Sequence, residues 1–173
     1  MLLETSRLQL RPMQPSDWSF FYLLHTQPQV MQFVADLESE EKIMARFNTR
    51  SQPWSKEDNS WLTLSIVEKE SGQLVGFSGF LSRWSDYKKA EVGFLFAPQF
   101  QGVGYGYESL TAVLEYAFLK CGFHKMTATV TEGNTASVAL LQKAGFNLEG
   151  RLVDNYQIAG CWCNDLLFAR FNQ

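Results

Sequence analysis

Histidine and cysteine are scarce in this chain, with two and three residues among 173. Cys161-x-Cys163 with only His25 and His124 elsewhere lacks the spacing of a zinc site, so no metal is expected. Three thiols (Cys121, Cys161 and Cys163) cannot all pair. Met1-Leu2-Leu3-Glu4 runs directly into a charged segment without a secretory leader, and a reducing cytoplasm is the expected compartment. No apolar run approaches the ~18 residues of a membrane span, so no membrane partner is expected. Positive charge is not in excess either. A formal net charge of −3 argues against a general nucleic-acid binder, which is normally basic. Repeats, low-complexity tracts and linkers are missing. With 46% apolar residues, one domain over residues 1–173 has chain enough for a core.

What is present centres on Gln101-Gly102-Val103-Gly104-Tyr105-Gly106-Tyr107-Glu108-Ser109, at the mouth of an amphipathic helix. Glycines at every second position leave little side-chain bulk, so backbone N–H groups can close on a bound group. The helix beginning near Tyr105 adds its unpaired N–H groups and the positive end of its dipole. Together these suit an anion such as phosphate or pyrophosphate, although a glycine-rich turn can also simply start a helix. Leu110, Val113, Leu114, Ala117, Phe118 and Cys121 recur at helical spacing, and Gly122 stands where a C′ glycine is expected. Two phosphate-binding motifs are excluded. A Walker A loop needs Lys then Ser or Thr after its last glycine, and here Tyr107 and Glu108 follow. A dinucleotide fingerprint has a different glycine spacing and an acid roughly 20 residues further on, and His124 to Val130 contains none.

Elsewhere periods of 2 and 3.6 alternate. Arg7 to Arg11 alternates and stops at Pro12, as a strand does. Ser16-Asp17 opens a helix carrying Trp18, Phe21, Tyr22, Leu24 and His25. Pro28 to Val34 reads as a short helical turn, and Ser39 can cap a helix carrying Ile43, Met44 and Phe47. After a loop from Ser51 to Ser60, Trp61–Val67 and Leu74–Leu81 are strands joined through Glu70-Ser71-Gly72-Gln73. Ala90–Ala97 is a long apolar strand. Lys125–Thr131 follows the glycine-loop helix, a short helix runs from Asn134 to Ala144, and Leu148–Tyr156 and Trp162–Phe171 close the series. The expected class is α/β, helices interrupting one sheet.

In this order the motifs resemble the GNAT acetyltransferases. The matching residues are Gln101-x-x-Gly104-x-Gly106, then Asn134-x-x-Ser137-x-x-Leu140-Leu141-x-Lys143-x-Gly145-Phe146 and Glu149-Gly150-Arg151. Thr5-Ser6-Arg7-Leu8-x-Leu10-Arg11-Pro12, Leu74-Val75-Gly76-Phe77-x-Gly79, Ala90-Glu91-Val92-Gly93-Phe94 and Asp165 are similar to the RimJ/RimL-type branch, which includes ribosomal-protein N-terminal acetyltransferases. The resemblance implies a GNAT fold (α/β, or α+β) with a central mixed, mostly antiparallel sheet of about six to seven strands. That sheet is flanked by helices and splayed at the coenzyme site.

The resemblance also implies acetyl-CoA as co-substrate and an amine as acceptor: a protein N-terminus, ribosomal or other, or a small amine such as a polyamine, amino acid or aminoglycoside. Gln101, Gly102, Val103, Gly104, Tyr105 and Gly106 would hold the coenzyme pyrophosphate. Phe94, Leu95 and Phe96 would offer backbone groups to the pantetheine arm, and Asn134 would bond the same arm, alone or while capping its helix. Glu91 resembles the position of a general base acting through water; its alternative is a solvated rim carboxylate. Many GNAT enzymes protonate the leaving thiolate from a tyrosine at the position matched by Leu141. Leucine cannot, which leaves Ser137 as the candidate acid, with coenzyme contact also implied and first-turn capping as its other role. Tyr107 and Tyr156 are lesser alternatives.

His25 reads as a packed or surface residue rather than a base, and His124 as a loop residue. The acidic run Asp36, Glu38, Glu40 and Glu41 suits a helix start. In a fold whose N-terminal helices wall the acceptor cleft, it could also draw a cationic amine. Trp54, Trp61, Trp84 and Tyr87 lie in or beside loops and either pack or line a pocket. The resulting expectation is an N-acetyltransferase, monomeric or homodimeric, using direct transfer through a ternary complex. The alternative from another class is a non-catalytic acyl-CoA sensor or interaction module, which Leu141 keeps open and which Glu91, Asn134 and Ser137 oppose.

Overall fold

The structure, a computed structural model, describes residues 1–172. Its strands are β1 (Leu3–Glu4), β2 (Leu8–Pro12), β3 (Trp61–Glu68), β4 (Leu74–Arg83), β5 (Lys89–Phe96), β6 (Lys125–Thr131), β7 (Asn147–Ile158) and β8 (Cys161–Phe171). They form one sheet in the order β1-β2-β3-β4-β5-β6-β8-β7. The strand beyond the expected six to seven is β1, which pairs Leu3 with Leu10 and Glu4 with Gln9. Two residues are too few to show alternation in a sequence.

Helices α1 (Trp18–Thr26), α2 (Pro28–Met31) and α3 (Glu40–Arg50) precede β3, α4 (Tyr105–Glu115) joins β5 to β6, and α5 (Thr135–Lys143) joins β6 to β7. Ser39 occupies the N-cap position of α3, but its hydroxyl makes no capping bond. Beyond α4, residues Tyr116–Cys121 widen into a π turn, which the sequence periodicity does not announce. Ala117, Phe118 and Cys121 still face the core, and Gly122 ends the segment at φ 76°.

The central strands separate two apolar layers because side chains alternate along them. In β5, Ala90, Val92 and Phe96 join a large core with Leu110, Val113 and Leu114 of α4 and Leu141 of α5. On the opposite face Leu95 packs with Phe77, Phe21 of α1 and Ile43 and Phe47 of α3. Burying each of the larger side chains among these contributes about 1.5–3 kcal/mol. Asp17 pins the N-terminal helices to this second face. It is buried, and it accepts from Arg11 Nη1 and Nη2 at 2.7 and 2.8 Å, from Ser65 Oγ at 2.7 Å and from the Gln14 N–H at 2.9 Å. Burial opposes its charge, but these donors outweigh burial and hold its pKa below the usual value.

Every neighbouring pair in the sheet is antiparallel except β5 with β6, the crossover that α4 makes possible. That parallel pairing lasts for three residue pairs and ends at Glu91–Thr127. Past this point β5 stays with β4 as far as Phe96, and β6 stays with β8 as far as Thr131. The two strands therefore part, and the expected splay is present.

Candidate functional site

Two cavities meet at the parting. One, of about 600 Å³, lies between the opened strands and the N-terminal helices and includes Glu91, Gly93, Thr129 and Asp165 in its lining. The other, of about 490 Å³, runs from the end of β5 past Gln101, Gly102, Gly104 and Gly106 to the start of α5. Phe33, Val34, Phe94, Leu95, Asn134 and Ser137 line both, so they form the neck between them.

The second cavity is built for an anion attached to an extended arm. Gly102 and Gly104 have φ of 75° and 92°, where a side chain is strained. A Cβ on Gly106 would sit 3.1 Å from Leu140, so this glycine sets how closely α4 approaches α5. Among the described residues, the N–H groups of Gly102 to Tyr107 meet no backbone carbonyl, and the first acceptor in α4 is used by Glu108. Six free donors at the positive end of a helix suit a pyrophosphate. Gln101 turns back, donating from Nε2 to the Phe96 carbonyl at 3.1 Å. The side chain of Val103 is exposed and the ring of Tyr105 is buried with its hydroxyl on Glu68, so neither side chain lines the cavity. Lys143 lies 4.5 Å from the ring of Tyr107 at the outer end.

At the neck, Asn134 caps α5 by accepting from the Ser137 N–H at 3.2 Å. Its carboxamide NH₂ and the Ser137 hydroxyl have no partner among the described residues and border both cavities. Leu141 is buried one turn further along α5.

Glu91 borders the first cavity at the last position where β5 pairs with β6, about a quarter exposed, with Arg83 Nη2 3.7 Å from Oε2. Asp165 accepts from Asn155 Nδ2 at 2.7 Å. Tyr156 shares a hydrogen bond with Thr131 Oγ1, and burial raises its pKa. It lines the first cavity and not the neck.

His25 is packed, as its helical face suggests. Its Nδ1 meets the Phe21 carbonyl at 2.7 Å, and its ring stacks on Phe21. Burial first, then the charges of Arg46 and Arg50, lower its pKa to about 4, so it is neutral at physiological pH. His124 stands between Gly122 and β6, stacked edge-on with Phe171.

The acidic run does not line the cleft. Asp36 accepts from the Ala159 N–H at 2.6 Å, Glu38 pairs with Arg46, and Glu40 and Glu41 are exposed on the first turn of α3. The wall that α3 presents carries Arg46 and Arg50 instead. Position along the chain decides this, since Asp36 and Glu38 precede α3 and Glu40 and Glu41 open it, whereas Arg46 and Arg50 lie roughly one and a half and two and a half turns later. Trp61 lines the first cavity, whereas Trp54 packs on Phe80, Trp84 on Phe123, and Tyr87 is exposed. No helix among the described residues is long and apolar enough to cross a membrane, and no group of metal-ligating side chains occurs among them.

Known proteins share this fold. The chain is 28% identical over 151 residues to YnaD of Bacillus subtilis (strain 168), an uncharacterized N-acetyltransferase, covering 87% of this chain and 85% of that one. Its fold superposes on spermidine N-acetyltransferase from Vibrio cholerae, solved in complex with CoA and spermine, with a TM-score of 0.85, 23% identity and 97% of each chain covered. It superposes equally on RimL, a ribosomal alpha-N-protein acetyltransferase solved with coenzyme A, with a TM-score of 0.86, 18% identity and coverage of 99% and 98%. Residues 7–147 match the acetyltransferase (GNAT) domain family, and the chain belongs to that family.

Proposed function

We propose that this protein transfers an acetyl group from acetyl-CoA to the nitrogen of an amine held in the first cavity. The observation that carries the reading is the neck. Two cavities of different chemistry meet where β5 leaves β6, with Ser137 and Asn134 on one side and Glu91 at the branch point. In this reading the loop Gln101 to Gly106 holds the pyrophosphate, and the opened edge of Phe94, Leu95 and Phe96 meets the pantetheine amides.

A neutral nitrogen must attack the thioester carbonyl carbon. Glu91, through one water, takes the proton the amine gives up. The carbon–sulfur bond breaks, and the thiolate takes a proton from the Ser137 hydroxyl, which solvent restores. Leu141 holds no proton to give, so Ser137 and the unpaired NH₂ of Asn134 are the polar side-chain groups of the neck available to the departing sulfur. An α-amine, with a free pKa of about 7.7–8.0, needs less help from Glu91 than an alkyl ammonium near 10.4.

Fold neighbours named for action on spermidine and on a ribosomal protein support an acceptor that is a small amine or a protein N-terminus. Incubation with acetyl-CoA and a pooled set of amines and N-terminal peptides, read by thiol release and product mass, tests the proposal. Acetylated amine is the expected product. Tight coenzyme binding without transfer to any acceptor would make the chain a sensor.

A further inference from the structure

Arg50, on the last turn of α3, lines the first cavity, whose two carboxylates, Glu91 and Asp165, are engaged by Arg83 and Asn155. Among the described residues its guanidinium lies in no ion pair, whereas its helical neighbour Arg46 is taken up by Glu38. Its carbon Cζ sits 4.5 Å over the ring of Trp61. Burial first, and then the charge of Arg46, lower its pKa to about 10, so it remains a cation at neutral pH.

Thr63 lines the same cavity, two residues along β3 from Trp61 and on the same face, and like Arg50 it also borders a third cavity beside Trp54. Its hydroxyl is buried and has no hydrogen-bond partner among the described residues. A partly buried arginine without an ion-pair partner and a buried hydroxyl without a hydrogen-bond partner, on residues bordering one cavity, are a donor set lacking its acceptor. Trp61 connects this pair to the reaction centre. The far edge of its ring lies 2.9 Å from where a Cβ of Gly93 would stand, and Gly93 is two residues from Glu91 on the same face of β5.

We infer that Arg50 and Thr63 form a carboxylate-recognition subsite, and that the acceptor is an amine carrying a carboxylate about the width of an indole ring away. This rests on the N-acetyltransferase reading and names its substrate class. The planar guanidinium matches a carboxylate with two parallel hydrogen bonds, and its stacking on Trp61 holds the fork in place. Leaving either donor unpaired in the cavity penalises acceptors without the acid, and a site built to bond a polar group rejects its absence strongly. A polyamine would instead place a second cation beside Arg50 and Arg46.

The test uses isosteric acceptor pairs with acetyl-CoA: glutamate against glutamine, γ-aminobutyrate against its amide, and the dipeptide Ser-Glu against Ser-Gln, with spermidine as the cationic control. The ratio of kcat/KM, acid over amide, should exceed tenfold in at least one pair. The free amino acids and the dipeptide distinguish a small metabolite from an acidic N-terminus as the source of the carboxylate. Arg50→Gln should collapse that ratio toward one, mainly through KM, and Arg50→Lys should retain only part of it. Thr63→Val should lower the ratio less than Arg50→Gln. Equal rates within every pair, faster transfer to spermidine, or a ratio unmoved by Arg50→Gln would overturn the subsite while leaving acetyl transfer standing. Thiol release with none of these amines would overturn both.

Discussion

The guanidinium Nε of Arg7 and the carboxylate of Glu108 meet at 2.8 Å across more than a hundred residues of chain. The same arginine donates from Nη1 to the Val103 carbonyl at 3.0 Å, and Glu108 also accepts from Thr5, Ser6 and the Arg7 N–H. The segment before β2 is therefore a brace for the glycine loop. This gives Thr5-Ser6-Arg7 a physical role in a motif that resemblance alone had singled out.

Loosening that brace should weaken coenzyme binding. Burial raises the pKa of Glu108, but the hydrogen bonds from Thr5 and Arg7 outweigh it and lower the pKa from 4.5 to about 2. A depressed carboxylate stabilises the fold above its unfolded value and ceases to do so as pH falls from 4.5 toward 2. Glu108→Gln should lower stability at neutral pH by about 1–3 kcal/mol. It should also flatten the loss of melting temperature between about pH 5 and 3. Thermal unfolding across that range, with and without acetyl-CoA, checks both effects.

Gly104 and Gly72 separate backbone strain from site chemistry. Both have positive φ, but a Cβ on Gly72 meets nothing within 4 Å, whereas one on Gly104 sits 3.1 Å from Arg7 Nη2. Saturating acetyl-CoA should stabilise the wild type by about 2.7 kcal/mol at 100 times its Kd. Gly72→Ala should lower the melting temperature and keep that increment. Gly104→Val should lose most of it, as a thermal-shift titration will show.

Ser137 and Asn134 should part company in kinetics. Ser137→Ala should lower kcat with little change in coenzyme affinity, because its proposed role arises only as the thiolate leaves. Asn134→Ala removes a cap that the structure contains, so it should destabilise the fold by roughly 1 kcal/mol and weaken coenzyme binding. Equal losses of coenzyme affinity in the two variants would make Ser137 a binding residue and leave the thiolate acid unassigned.

The helix after Gly104, the cap at Asn134 and the hairpin at Gly72 were legible because each depends on neighbours within a few residues. The splay at Glu91 was legible only through resemblance. It arises because β5 and β6 each keep a second strand partner, and those pairings are distant in sequence. Arg50 and Thr63 were missed for a related reason. An arginine near the end of a helix looks like an ordinary partner of the dipole. That it lacks a carboxylate and faces a cavity is decided by β3 and β5, which α3 meets only on folding. The acidic run marked a helix start, as Glu40 and Glu41 show, but its second reading as a lure for a cationic amine fails, since charge content says nothing about which side of a helix the cleft receives.

The central claim, amine deprotonation at Glu91 beside the neck, is tested most directly by kcat/KM from about pH 6 to 9 for wild type and Glu91→Gln, using the acceptor found by screening. Loss of the base should lower the rate by ~10²–10⁴-fold for an alkyl ammonium. For an α-amine the defect should be smaller and partly recovered as pH rises, because the neutral form is already a sizeable minority near pH 7. Superimposable rates and profiles for the two proteins would contradict the account and leave Glu91 a solvated carboxylate at the rim.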